Sequence, residues 1–337
     1  MGDKTGISWT DASWNCIRGC SRVSEGCRHC YAETMAGRFS DPGQPYHGLV
    51  TLRKGKVKPK WNGKIDFIPK HLRDPLRWQK PRRIFVNSMS DIFHENLSFE
   101  HIAAIFAVML LAKQHKFQVL TKRSKRMKEF FAWAGTLTMP QLIGYAYRAL
   151  KDHPEELKTL ARADRDLGAY TWPLPNVWLG VSVENQEAAD ERIPDLIACP
   201  AAVRFLSCEP LIGQVILQGD SVSESGGMHS RKYLRGIEGD QRIHWVIAGC
   251  ESGPGMRPCD HRWLRSLRDQ CKAAGTKYFL KQATKAQEGG HRLYPSGQAA
   301  KAPIVDVVKA GANSKVKPGG VIERPFLDGF QHQEFPA

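Results

Sequence analysis

The chain has 337 residues, 42% of them apolar, and 49 Lys and Arg against 34 Asp and Glu give it a net charge of +15. That length suits one large domain or two small ones, and the apolar fraction is ordinary for a folded soluble protein. No run approaches a membrane span and the opening MGDKTGISWTD has no apolar signal core, so a cytoplasmic location is expected. The basic excess favours a polyanionic partner, most often nucleic acid, over the plainer reading of a basic solvated surface. Nine cysteines, unevenly placed, point to a reducing compartment and one metal site rather than a disulfide scaffold.

Four of those cysteines, Cys16, Cys20, Cys27 and Cys30, open the chain in the run from Trp14 to Tyr31. Irregularly spaced cysteines with glycine between them suit an iron–sulfur cluster, and three ligands, Cys20, Cys27 and Cys30, would leave one iron open to a small molecule. Zinc is the competitor, since Cys27 and Cys30 form a CxxC pair that Cys20 with Cys16 or His29 would complete. Structural zinc usually joins two CxxC pairs, and the sequence has no second one, which favours iron–sulfur. Cys16 is read as a free thiol close by.

Further along, Arg83-Ile-Phe-Val-Asn87 reads as the first clean strand, followed by a helix over 98–115 with Ile102, Ile105, Phe106, Met109 and Leu110 at helical spacing. Strands are then predicted over 116–121, 177–183, 202–207, 244–249 and 276–281, with helices over 186–198 and 261–274, the latter stopped by Gly275. Apolar strands separated by helices imply a parallel sheet covered on both faces. Six or seven such units suggest a barrel or open partial barrel, with a doubly wound sheet as the alternative. Residues 131–172 read as a charged helical insertion and 219–242 as a mobile loop. Residues 1–283 are thus expected to form the barrel, and 284–337 a basic, loop-rich extension packing back on it.

Active sites of parallel α/β barrels lie at the C-terminal strand ends. Those ends carry Asn87-Ser-Met-Ser-Asp91, Thr121-Lys-Arg123, Ser182-Val-Glu-Asn185, Ser207-Cys-Glu-Pro210, Gly249-Cys-Glu-Ser-Gly253 and Lys281-Gln282. Loops are polar in any case, but Ser-x-Glu or its like at three consecutive strand ends favours a functional face. The set suits a zwitterionic ligand bearing a ribose. Lys122 would pair with a carboxylate, Asp91 or a glutamate would take an ammonium, and Ser182 and Glu184 would meet ribose hydroxyls.

The block Trp14-Asn15, Gly19-Cys20, Gly26-Cys27, His29-Cys-Tyr-Ala-Glu33 resembles a family of phage and bacterial proteins with a three-cysteine motif, as do Ser88-Met-Ser-Asp91, Leu120-Thr-Lys-Arg123, Leu179 to Asn185, Arg204 to Leu211, Gly249 to Pro254, Arg257-Pro258, Phe279-Leu-Lys-Gln282 and the tail around Leu327. The match runs nearly end to end. That family is similar to the radical S-adenosylmethionine (SAM) superfamily, near the branch of spore photoproduct lyase. The resemblance implies an α/β fold, a partial (βα)6-type TIM barrel of the radical SAM kind. It also implies a [4Fe-4S] cluster on Cys20, Cys27 and Cys30, with SAM on the open iron. Lys122 would then meet the SAM carboxylate, Ser182 with Glu184 the ribose, and the loop carrying Ser88, Ser90 and Asp91 would lie near the methionine amine.

Two features depart from the pattern: the superfamily spaces its cysteines by three residues and then two, whereas six separate Cys20 from Cys27 here, and the family has proline where Cys16 stands. On this resemblance the chain cleaves SAM reductively and takes hydrogen from a substrate, with an external electron donor. The basic charge and the run Thr121-Lys-Arg-Ser-Lys-Arg-Met-Lys128 point to a nucleic acid or nucleotide, for base modification or repair. Candidate hydrogen donors or catalytic groups are Cys16, Cys208, Glu209, Cys250 and Glu251. The rival readings are a peptide as substrate, or a non-catalytic zinc- or iron–sulfur-stapled nucleic-acid-binding protein.

Overall fold

Each long apolar run becomes one strand of a single sheet in the computed structural model, which describes residues 5–51, 59–164, 171–222, 228–236, 241–253, 255–284, 321–322, 326–327 and 330–336. The strands are β1 (Ala12–Trp14), β2 (Arg83–Val86), β3 (Lys116–Thr121), β4 (Val177–Ser182), β5 (Val203–Cys208), β6 (Trp245–Gly249) and β7 (Lys277–Thr284). They pair in that order, every neighbour parallel. A strictly sequential order has no reversal point, so the doubly wound alternative is excluded. Val321–Ile322 adds to β7 in antiparallel fashion.

The sheet curls into a half-barrel. In a flat sheet β2 and β6 would stand about 19 Å apart, four spacings of ~4.8 Å. Yet the Trp9 ring touches both, 4.7 Å from Phe85 on β2 and 6.3 Å from Trp245 on β6. Trp9, Phe85, Trp178, Phe205, Trp245, Ile247 and Phe279 form one apolar cluster on the concave side. Gly180 lets them meet, because a Cβ there would lie 2.5 Å from the Phe205 ring.

Helices cover the convex side: α2 (Phe99–Leu111), α3 (Ser124–Ala134), α4 (Met139–Ala149), α5 (Pro154–Asp164), α6 (Gln186–Ile197) and α7 (His261–Ala274), while α1 (Tyr31–Arg38) follows the cysteines. Ten consecutive residues of α2, Ile102 to Leu111, are buried. A helix buried all round needs a second cover, and α4 and α5 supply it, with Leu142, Ile143, Ala146, Leu150 and Leu160 in the main core. The expected insertion at 131–172 is therefore a structural layer, and its start at 131 cuts through α3. The expected mobile loop at 219–242 contains a hairpin, Gln218–Val222 with Met228–Lys232, whose Arg231 pairs with Asp190 of α6 at 2.6 Å. Most of the predicted extension, 285–320, lies outside the described residues. Its last part does return to the barrel: the Leu280 N–H donates to His332 O at 2.7 Å, and Phe335 packs on Trp245 and Phe279. No helix among the described residues is long and apolar enough to cross a membrane.

Replacing Gly180 by Ala forces Phe205 off its position and is expected to cost about 1–3 kcal/mol, the usual penalty of overpacking. A lower urea midpoint at unchanged slope measures it, and adding Phe205→Leu should recover part of the loss.

Candidate metal and cofactor site at the strand ends

Side chains on a strand alternate between faces, and that alternation sorts the strand ends. Starting from the concave residues Phe85, Leu120, Trp178, Phe205, Ile247 and Phe279, steps of two place Ser182, Ser207, Gly249 and Lys281 on the concave side, and Asn87, Lys122, Glu184, Glu209 and Glu251 follow just beyond the strands. The polar row therefore sits directly above the aromatic floor. Cys208 and Cys250 fall on the other phase and are fully buried in the helix-covered core. Cys208 is the last residue of β5 rather than a residue beyond it, and burial pushes its thiol pKa well up. Neither cysteine reaches the row that carries the glutamates.

The cysteine loop crosses this rim. Ile17–Arg18 pairs with Asp66–Phe67, and Gly19 bridges to Ser90. Gly19 has φ +90°, and a Cβ there would lie 2.1 Å from Lys64 O, so the residue before Cys20 must be glycine. Each stretch after that is tied to a strand end. Arg123, beyond β3, donates to Ser21 Oγ at 2.7 Å and Ser21 O at 3.2 Å, and lies 3.9 Å from Cys20 Sγ. Ser24 donates to Glu184 beyond β4. Arg257 bonds Glu25 O at 2.9 Å and clamps Glu251 beyond β6, whose carboxylate also meets His29 Nδ1 at 2.9 Å. Six residues between Cys20 and Cys27 thus reach from the end of β3 to the end of β4, with Ser21 and Ser24 as the footholds.

Cys20, Cys27 and Cys30 are all partly buried, and every described cysteine is a free thiol. Burial pushes the Cys20 pKa up to about 12, with Asp91 adding to the rise and Arg123 opposing it. Burial also raises Cys30, against the backbone N–H groups of Glu33 and Ala32 at the start of α1. The charge of Cys30 acts on Cys20, and that of Cys27 on Cys30 and Arg22. Among the described residues no three His, Cys, Asp or Glu side chains already form a metal cage. The donor set nonetheless fits a metal–sulfur cluster: three thiols on one loop, a helix N-terminus behind Cys30, and two guanidinium groups nearby to offset thiolate charge. Cys16 lies beneath the loop, fully buried, its Sγ 3.8 Å from Asn87 Oδ1.

Asp91 has both oxygens occupied, by Thr121 Oγ1 at 2.8 and 2.9 Å, the Lys122 N–H at 3.2 Å and Arg123 Nη1 at 3.1 Å. It holds the Thr121–Arg123 turn in place. Ser88 Oγ exchanges with the Asn15 amide and Ser90 Oγ donates to Ile17 O. Lys281 pairs with Glu209 at 2.7 Å and Arg192 with Glu184 at 2.9 Å. Lys122 Nζ and Ser182 Oγ have no hydrogen-bond partner among the described residues. The structure adds three residues that sequence reasoning did not single out. Asn87 is buried at φ +59°, and its Nδ2 is a buried donor without a partner among the described residues. Tyr31 donates its hydroxyl to Ser88 O. Arg123 stands beside Cys20; its place after the β3 strand was visible, but not its role.

Glu184 stays charged though only 2% exposed. Burial raises its pKa, but Lys122, Arg192 and Ser24 together bring it below the ordinary 4.5. A lowered carboxylate contributes stability that is complete above about pH 4.5 and is lost as pH falls through its folded value. Glu184→Gln leaves Arg192 buried without its partner, so a loss of about 3–5 kcal/mol is expected at pH 7. Urea midpoints from pH 7 to 3 should show the gap to wild type narrowing below pH 4.5.

No curated protein and no solved structure matches the chain. One family model does, over residues 4–336, and it describes a protein of unknown function, DUF5131. With essentially the whole length matched, the chain belongs to the DUF5131 family.

Proposed function

We propose that this chain is a radical SAM-type enzyme that holds a [4Fe-4S] cluster on Cys20, Cys27 and Cys30. The observation that carries the reading is the placement of a three-cysteine loop over the C-terminal rim of a curled, sequentially ordered parallel sheet, next to a polar row. When bound there and reduced by an external electron donor, such a cluster would supply the electron for reductive cleavage of SAM and so for taking hydrogen from a substrate.

The chain's own residues bind and orient. Lys122, which has no hydrogen-bond partner among the described residues and whose charge faces Glu184, would take the SAM carboxylate, and Ser182 with the Asn87 amide would meet its polar edges. Glu184 and Glu251 fix the loop through Ser24 and His29, and Asp91 orients Lys122 through its backbone N–H. The aromatic floor of Trp9, Trp178, Trp245 and Phe279 excludes water from below. Arg123 donates toward Cys20 and lowers the electrostatic cost of a thiolate there. The net charge of +15 supports a nucleic acid or nucleotide as the molecule acted on.

Anaerobic purification should give a brown protein with about four irons per chain. With SAM and dithionite it should release 5′-deoxyadenosine, and Cys27→Ala should abolish both iron and product. Lys122→Ala should keep its iron and weaken SAM binding by roughly tenfold or more, the value of one charge-assisted hydrogen bond. A colourless protein holding one zinc would overturn the reading in favour of a stapled binding module.

A further inference from the structure

Among the described residues the exposed large apolar side chains are Val23, Tyr31, Met35 and Phe39, accessible over 41, 55, 36 and 44% of their surface. Single exposed hydrophobics are ordinary, but these four fall within 17 residues. Tyr31, Met35 and Phe39 stand at i, i+4 and i+8, so they form one stripe along α1 and just past its end. The opposite side of α1 is occupied. Ala32, Glu33 and Ala36 are buried, Trp61 N–H bonds Glu33, and a Cβ on Gly37 would lie 2.4 Å from the Pro59 ring. The stripe therefore faces away from the fold, and nothing in the packing of α1 calls for apolar residues there.

One end of the stripe enters the site. Tyr31 is more than half exposed, yet its hydroxyl reaches the loop beyond β2 that carries Ser88. That hydroxyl is bonded to Ser88 O. Tyr31 therefore stands where the stripe meets the strand-end loops. Phe39 marks the outer end, eight residues on.

The charge around the stripe is positive. Arg28, Arg38, Lys60 and Lys64 are exposed and Arg18 is half-buried, against the exposed acids Glu25, Asp41 and Asp66, with Glu25 near Arg28. A fourth acid, Glu33, is buried in a pair with Arg22. Open aromatic rings beside lysine and arginine match single-stranded nucleic acid, whose bases offer faces to stack and whose phosphates offer charge. A duplex keeps its base faces covered and gains only the charge.

We propose that Tyr31, Met35 and Phe39, with Val23 and the surrounding cations, dock single-stranded nucleic acid and lead one base over Tyr31 toward the strand-end row. The catalytic meaning of this surface rests on the function proposed above; the binding itself does not. Fluorescence anisotropy of the full chain, purified anaerobically, with labelled single-stranded DNA and RNA of about 12 nucleotides and the matching duplex, tests it. Single strands should bind at least tenfold more tightly than duplex. Phe39→Ala should weaken them roughly 5- to 100-fold, the effect of losing one stacked base. Lys60→Glu with Lys64→Glu should weaken binding and flatten its dependence on salt between 50 and 200 mM. Iron content and circular dichroism should not change in Phe39→Ala. Equal binding of duplex and single strand, no binding at micromolar protein, or a Phe39→Ala variant that binds like wild type would overturn the proposal, as would capture of an acidic protein without oligonucleotide binding. Oligonucleotide binding by a protein that holds no iron would instead count against the radical reading alone.

Discussion

A carboxylate with almost no exposure is costly to charge, and Glu184 is charged only because Lys122, Arg192 and Ser24 surround it. The placement of the cysteine loop depends on that arrangement. Arg192 comes from α6, Lys122 from the end of β3 and Ser24 from the loop itself, so one buried group joins helix layer, sheet and loop. Gly26 comes so close that a Cβ there would lie 2.8 Å from the Glu184 carboxylate. Glu251 repeats the device two strands away, with Arg257 and His29 as its partners. Asp91 repeats it at β3 with Arg123. Three buried carboxylates, each matched by an arginine, hold three points of one loop. Buried pairs of this kind add little net stability but fix geometry, because leaving either partner alone is expensive.

The wide Cys20–Cys27 spacing follows from the same geometry. A loop with three residues between its first two cysteines would have to stay near one strand end. This loop is held at the end of β3 by Ser21 and at the end of β4 by Ser24, which takes the added length. The glycines at its two bends answer to contact rather than to flexibility alone: Gly19 against the Lys64 carbonyl and Gly26 against Glu184. The spacing thus leaves the three thiols on one side of the rim while the intervening residues serve as anchors.

Much of the sheet was legible because strands buried on both faces read as unbroken apolar runs; β3 and α7 match their expected limits to the residue. β1 was missed because three residues with a serine in the middle carry no pattern of their own, and its place is set by pairing with β2. The hairpin near 220 was read as loose because its composition is rich in glycine and serine, whereas main-chain pairing and the Arg231–Asp190 contact hold it. At the site, the glutamates stood out as a repeat at strand ends, but their partners did not. Arg192, Arg257 and Lys281 lie 8, 6 and 72 residues from the acids they meet, and only the first two separations are local enough to suspect. Cys208 and Cys250 were separable from the site by counting in twos along their strands, a signal present in the sequence.

The two ends of the half-barrel interior are built on opposite terms. The floor is aromatic, with Trp9 from before β1 and Phe335 from the far end of the chain closing over Trp245. Its stability comes from buried area and tilted ring contacts, with the Arg83 guanidinium 4.0 Å over the Phe335 ring at its edge. The rim is polar, and almost every charged group there already has a partner, so it is rigid and close to neutral within itself. Against that background two groups stand out among the described residues: the Lys122 ammonium, which offsets the Glu184 charge without a hydrogen bond, and the buried Asn87 Nδ2, which has no partner. Both donors lie beside the thiol loop, where the function proposed above would turn them toward acceptors on its ligand.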